Sequence, residues 1–289
     1  MVPPVKAIDS GRVRGNFSSR AGDYDRYASV QKRVVELLYG RLAKVAMPQG
    51  LYLDVGTGTG ALAAAILNRV PGQLVVMDIA HGMTRAAAER LLEVSACDGD
   101  ARQLPFIDEA FACVLSSSVY QWIECLPSAF AEIARVLRPG GLFALALFGE
   151  KTLSELRSSH CRAVANSGTG QASHVQNFPT LGEVADALAA AGLACDEVSN
   201  GMEVEFHLDV PDLLRQLKQI GASNATADRP RGLASRQVMQ SMIQFYEEQY
   251  RCESGLPASY EVIIAVARKA GDLELTAQDE ISSPWEFND

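Results

Sequence analysis

The chain of 289 residues is most easily approached through what it does not contain. No apolar run approaches the roughly 20 residues needed to span a bilayer, and the longest candidate, 142–148, reads as a buried strand. The opening "MVPPVKAIDS" lacks the apolar stretch of a secretion signal, so a cytoplasmic protein is expected. The six cysteines (97, 113, 125, 161, 195 and 252) show no CxxC spacing and never pair with histidine at metal-ligand spacing. A zinc site or a disulfide framework is therefore not expected, and buried, reduced thiols are. His81, His160, His174 and His207 are likewise scattered, so no metal is assigned. A net charge of −9 argues against a general nucleic-acid binder.

What is present is an ordinary globular composition, 48% hydrophobic and 21% charged, in a length suited to one large α/β domain or two small ones. The charge is uneven. Residues 1–33 carry seven Lys/Arg against three acids, residues 211–236 carry five against two, and the last twenty carry six acids and no base. Two basic islands on an acidic chain suit an acidic partner that docks locally.

Apolar residues at helical spacing over 23–46 (Val30, Val34, Leu37, Leu38, Leu42, Val45) predict an amphipathic helix ended by Pro48 and Gly50. Strands and helices then alternate. Strands are predicted at 51–55, 74–79, 94–97, 111–116 and 142–148, with helices at 60–68, about 80–92 and 128–137. That alternation predicts a parallel, doubly wound sheet. Beyond residue 149 come helices at about 152–165 and 180–191, a strand over 197–208, helices at about 211–221 and 236–250, and a last strand in "SYEVIIAVARK". Helices set between late strands suggest a lid over one edge of a single domain.

The chemistry starts in "LDVGTGTGALAAAI", an apolar strand, three alternate glycines, then an alanine-rich helix former. Gly56, Gly58 and Ala61 match dinucleotide-loop spacing, and Asp78 lies twenty residues beyond Gly58, so a nicotinamide oxidoreductase remains open on these facts. Against it, the carboxylate of Asp54 just ahead of the loop would repel a pyrophosphate and suits a cation such as an ammonium group. Gly60 keeps the helix start bare, and Asp78 at the end of a strand can accept both hydroxyls of a ribose. An ATP-type loop is excluded because no Gly-Lys-Ser/Thr follows.

With "VVMDIA", "CDGDARQLPF" and "LRPGG" following in order, this region resembles the class I S-adenosylmethionine-dependent methyltransferases over about residues 50–148. The resemblance implies a Rossmann-like α/β fold with a seven-stranded, mostly parallel sheet, helices on both faces and a helical lid after the fifth and sixth strands. It implies S-adenosyl-L-methionine as the cofactor. Asp54, Gly56, Thr57, Gly58 and Gly60 would then lie at its methionine end, and Asp78, Ile79 and Met83 at its ribose and adenine. Asp100 and Ala101 would meet the adenine amine, with Ser116 a further contact.

The flanks "NFSSRAGDYDRYASVQ", "SSSVYQWI", "TLSELR", "NFPT", "LLRQLKQIGA" and "SYEVIIAVARK" extend the likeness over residues 14–269. Together they resemble the malonyl-acyl carrier protein O-methyltransferases of biotin synthesis. The implied reaction methylates the free carboxylate of a malonyl thioester and masks its charge. A carboxylate with a reference pKa near ~4 needs no general base at neutral pH, and an activated methyl needs alignment and exclusion of water. Arg157 is the first candidate to grip that carboxylate, with Tyr24, Tyr27, Tyr120 and Trp122 as pocket walls and Phe178 as a weaker lid residue. Malonyl-acyl carrier protein is the expected partner, docking on Arg215, Lys218, Arg229 and Arg231 and also on Arg12, Arg14, Arg20 and Arg26. Neither nucleic acid nor membrane is expected, and the protein is expected to be a monomer or weak dimer. In domain terms, 1–48 would close the active site, 49–270 would form the methyltransferase domain with lid insertions at about 150–180 and 210–250, and 271–289 would be a flexible acidic tail. Alternatives are a methyltransferase for a small free acid or a quinone-like ring, and a protein-modifying or assembly factor that keeps the fold.

Overall fold

A computed structural model describes residues 8–167, 177–222 and 236–271. Arg229, Arg231, His174 and all but the first residue of the predicted tail lie outside the described residues. The elements run α1 (Ser10–Arg20), α2 (Tyr24–Tyr27), α3 (Ser29–Leu42), β1 (Tyr52–Val55), α4 (Ala61–Ile66), β2 (Leu74–Asp78), α5 (His81–Arg90), β3 (Ser95–Asp98) and β4 (Phe111–Ser117). They continue with α6 (Leu126–Val136), β5 (Leu137–Phe148), α7 (Ser154–Ser167), α8 (Leu181–Ala190), β6 (Leu193–His207), α9 (Val210–Gln219), α10 (Arg236–Tyr250) and β7 (Leu256–Lys269).

The seven strands form one sheet in the order β3-β2-β1-β4-β5-β7-β6. The first five are parallel; β7 runs antiparallel to both β5 and β6. Side chains that alternate along a strand must face opposite sides of the sheet, and the core divides accordingly. Leu142, Ala144, Ala146 and Phe148 of β5 join Val34, Leu38 and Tyr246 on one face. Phe143, Leu145 and Leu147 join Phe130, Ile133 and Val184 on the other. The near-continuous apolar runs of β4, β5 and β7 follow from burial on both faces. Helices stand after the fifth and sixth strands, as the fold resemblance implies.

Three local expectations are corrected. The helix predicted over 23–46 is two pieces, α2 and α3, and α1 precedes them. The polar "SGRVRGNFSSR" of α1 buries only Val13, so its helicity depends on an N-cap from Asp9 and on docking, not on periodicity. Strand β6 starts at Leu193, ahead of the predicted 197, because a register shift between Cys195 and Glu197 breaks the alternation there. The thiols are free, but only Cys113 is buried; Cys125, Cys161, Cys195 and Cys252 are exposed.

The N-terminal helices are fastened across the carboxyl ends of the central strands. The Ile8 N–H donates to the Glu124 carboxylate. The Thr59 hydroxyl donates to Asp25 Oδ1 at 2.6 Å, and the Gly82 N–H donates to the Ser18 hydroxyl at 3.0 Å. Gly82 is required by this last contact, since a Cβ there would come within 2.4 Å of the Ser18 carbonyl oxygen. Alanine at 82 gains up to about 1 kcal/mol of helix propensity in α5 and loses the seat of α1. Gly82→Ala should therefore leave global stability nearly unchanged while amides 10–20 exchange faster with deuterium. Unchanged protection of α1 would show that the close approach does not hold it.

Candidate active site

In an open α/β sheet, ligands lie beyond the strand carboxyl ends where strand order reverses, here between β1 and β4. A cavity of about 250 Å³ occupies that place, and a smaller lobe of about 50 Å³ adjoins it. Tyr24, Gly56, Gly58, Ser117 and Ser118 line both.

Asp54 lies in the small lobe with Thr57, and Lys32 of α3 reaches the same lobe. The Thr57 hydroxyl donates to Asp54 Oδ2 at 2.8 Å, and buried Oδ1 has no well-formed hydrogen bond among the described residues, although the Ala63 N–H at the start of α4 is near enough to favour the ionised carboxylate. Burial pushes the Asp54 carboxyl up to about 7; the Thr57 bond opposes the shift and the charge of Asp78 adds to it. An acceptor oxygen left bare in a polar niche has the chemistry to accept a cation. The glycine loop supplies close backbone around it: Gly56 has φ +67, and a Cβ there would strike Val119 at 2.2 Å.

Asp78 closes β2 beneath the large lobe. Its Oδ2 accepts the Gly58 N–H at 2.9 Å and its Oδ1 the Ala80 N–H at 2.8 Å. Burial still raises its pKa to about 6 against those bonds. The carboxylate also lines the cavity, where its remaining acceptor capacity can take a ligand hydroxyl. Ile79, Met83 and Ala101 complete an apolar floor for a flat ring. Asp100 also lines this lobe, where Arg102 grips its carboxylate with both Nε and Nη2 and holds its pKa below the usual range.

Phe17 of α1 bridges the aromatic wall, with its centroid 5.6 Å from Trp122 edge-to-face and 6.3 Å from Tyr24. The Tyr24 phenol is driven upward by burial and by Asp78 and Asp25, so it stays protonated at neutral pH.

Other predicted residues stand elsewhere. Tyr120 is fully buried away from the cavity, packed edge-on against Phe130 and Phe143 at 5.1 and 6.0 Å, so it is a core residue. Arg157 lies outside the cavity lining and donates to the Glu150 carbonyl at the protein surface. Gly60 lines neither lobe; at φ +81 it lets Leu91 and Ala87 pack on the start of α4. Ser116 spends its hydroxyl on the Val55 carbonyl at 2.9 Å, and Ser117 and Ser118 reach the cavity in its place. Three consecutive serines offer no phase from which to choose, so the sequence could not separate them. Phe17 and Lys32 were missed as well. Phe178 packs against the core cluster on the α3 side of the sheet, and Tyr27 lies beneath the Arg26 guanidinium at 5.6 Å.

The predicted basic islands meet in space. Arg20 Nη1 donates to Gln219 Oε1 at 3.1 Å, and Gly221 lies against Asn16 and Phe17. Arg215 and Lys218 are exposed on α9 beside this junction, with Arg215 paired to Asp212 at 3.0 Å. Arg12, Arg14 and Arg26 are exposed nearby in sequence on α1 and α2.

Comparison with known proteins agrees with this geometry. Residues 53–145 match a family model described as "Methyltransferase domain". The chain is 42% identical to a malonyl-[acyl-carrier protein] O-methyltransferase of Geobacter sulfurreducens, over 91% of this chain and all of that protein. It is 34% identical to the biotin biosynthesis bifunctional protein BioHC of Teredinibacter turnerae, over 92% of this chain and 48% of that protein. The fold superposes on the YcgJ protein of Bacillus subtilis with a TM-score of 0.54 at 18% identity, covering 82% of this chain and 98% of that one.

Asp54 makes a signed prediction. Its folded carboxyl holds a proton between about pH 4 and 7 that the unfolded chain has lost, so its contribution to stability falls as pH rises through that window. Asp54→Asn should therefore raise the Tm of the ligand-free protein at pH 8 by several degrees and change it little at pH 5. The same variant should bind S-adenosylhomocysteine at least tenfold more weakly, because a buried ionic hydrogen bond is lost. Equal Tm shifts at both pH values, or unaltered affinity, would contradict the assignment.

Proposed function

The chain belongs to the malonyl-acyl carrier protein O-methyltransferase family, and from that premise we propose how its residues divide the work. The protein is an S-adenosylmethionine-dependent O-methyltransferase that esterifies the free carboxylate of malonyl-acyl carrier protein for biotin synthesis. The observation that carries the reading of the site is the unpartnered Asp54 oxygen above a bare glycine loop. It fits the ammonium of an amino acid and not a phosphate.

S-adenosylmethionine, when bound, supplies a methyl group already activated on a sulfonium. The chain has to do three things around it. Asp54 and the Gly56–Gly58 loop hold the amino-acid end. Asp78 holds the ribose, and Ile79, Met83 and Ala101 accept the adenine. Phe17, Tyr24 and Trp122 form an aromatic cover that excludes water from the junction of the lobes, where hydrolysis would waste the donor. No general base is assigned, since the acceptor is already an anion at cytoplasmic pH.

The partner is acidic, and the basic surface where α1 meets α9 is our candidate dock. Its nearness to Phe17 would bring a carrier-bound thioester to the aromatic cover. Incubation with labelled S-adenosylmethionine and malonyl-, acetyl- or succinyl-carrier protein tests the reaction. Base-labile label on the malonyl form is expected; label on acetyl carrier protein, which has no free carboxylate, would contradict it. Arg215→Glu with Lys218→Glu should raise KM for malonyl carrier protein about tenfold and leave a short malonyl thioester unaffected. Equal effects on both substrates would remove the docking assignment.

A further inference from the structure

The junction of the two lobes holds two hydroxyls that the account above leaves without a task. Ser117 is the last residue of β4, and Ser118 follows it with φ +61, a left-handed backbone that a serine rarely adopts. The surroundings impose that conformation. The Ser118 N–H donates to the Ala146 carbonyl at 2.8 Å, and its own carbonyl accepts the Gln121 side-chain amide at 2.7 Å. Both Oγ atoms are shielded from solvent, and neither has a hydrogen-bond partner among the described residues. Ser116 beside them is fully satisfied. A strained backbone that leaves two buried, unsatisfied hydroxyls on residues lining a cavity points to a ligand.

We propose that the Ser117 and Ser118 hydroxyls hold the acceptor carboxylate of the malonyl group, and that this neutral pair takes the place of the arginine the chemistry first suggests. The proposal rests on the reading of the site as a malonyl methyltransferase. Among the described residues, the two cationic side chains that line the cavity have partners: Lys32 donates to the Asp25 carbonyl at 2.6 Å, and Arg102 is paired with Asp100. Neutral donors also suit the step. A guanidinium on the carboxylate would draw off the charge that attracts it to the sulfonium, whereas two hydroxyls fix one oxygen and leave the other free to attack. A lone pair of that second oxygen forms the O–CH3 bond as the S–CH3 bond breaks with its electrons staying on sulfur. A carboxylate and a sulfonium become an ester and a thioether, and no proton moves.

Ser117→Ala, Ser118→Gly and the double variant test this. Glycine is the clean deletion at 118 because it keeps φ near +61 without strain. Each single change should lower kcat/KM for malonyl carrier protein about tenfold and the double change about a hundredfold, the range for a hydrogen bond to a charged group. S-adenosylhomocysteine affinity and Tm should stay within twofold and two degrees or so of wild type. Unchanged kcat/KM in the double variant would overturn the assignment and leave the methyltransferase reading intact. Donor affinity that falls in step with kcat/KM would also overturn it, because the hydroxyls would then belong to the donor. Failure of the unmodified protein to methylate malonyl carrier protein would overturn both.

Discussion

A carboxylate buried with one oxygen bare is costly, and the proposed reading of the site depends on this arrangement around Asp54. Strand β1 delivers the side chain from the middle of the sheet, where it cannot retreat to solvent. The glycines after it keep other side chains away and bring backbone close. Asp78, one strand over, adds a second buried carboxylate whose charge disfavours ionisation of the first. The ligand-free protein therefore bears an electrostatic strain at neutral pH that a cationic ligand relieves. Donor binding, pH dependence and the identity of the loop all follow from this constraint.

The second requirement is a dry junction, and of the two covers expected, the N-terminal segment and the late helices, only the first contributes described residues. The helices after the fifth and sixth strands contribute no described residue to the cavity lining. Cover comes instead from the N-terminal helices, through Val13, Phe17 and Tyr24. These are tied to the core by few bonds, so the cover can be lost locally without unfolding the sheet. Because α1 also touches the end of α9, the surface assigned to the carrier protein and the cover over the donor share one boundary.

Much of this was legible in the sequence because the signals were local. The apolar runs of β5 and β7, the alternation in β6 and the Gly56-x-Gly58 turn each carry their own pattern, and the seven-stranded, mostly parallel sheet follows from the family resemblance. Asp54 stands out in the sequence by its charge ahead of the glycine loop and by the family resemblance. What escaped depended on long-range packing. Helix α1 has too little apolar periodicity to announce itself, and Phe17 reaches the cavity on a helix whose close approach needs a glycine at 82. Tyr120 and Trp122 are two residues apart in one short turn, yet one enters the core and the other the cavity; no spacing rule separates them. Arg157 has fitting chemistry, but its guanidinium donates to the Glu150 carbonyl and it is not among the described residues that line the cavity.

The central claim is that the loop seats a cation on a carboxylate that is largely protonated in the empty site. Calorimetric titration of S-adenosylhomocysteine at pH 6.5, in buffers of different ionisation enthalpy, counts the protons exchanged on binding. An Asp54 carboxyl near 7 that is forced to ionise by an ammonium group must release a large fraction of a proton. Net release that vanishes in Asp54→Asn is the predicted result. Binding with no proton exchange, or with release that survives the substitution, would contradict the account.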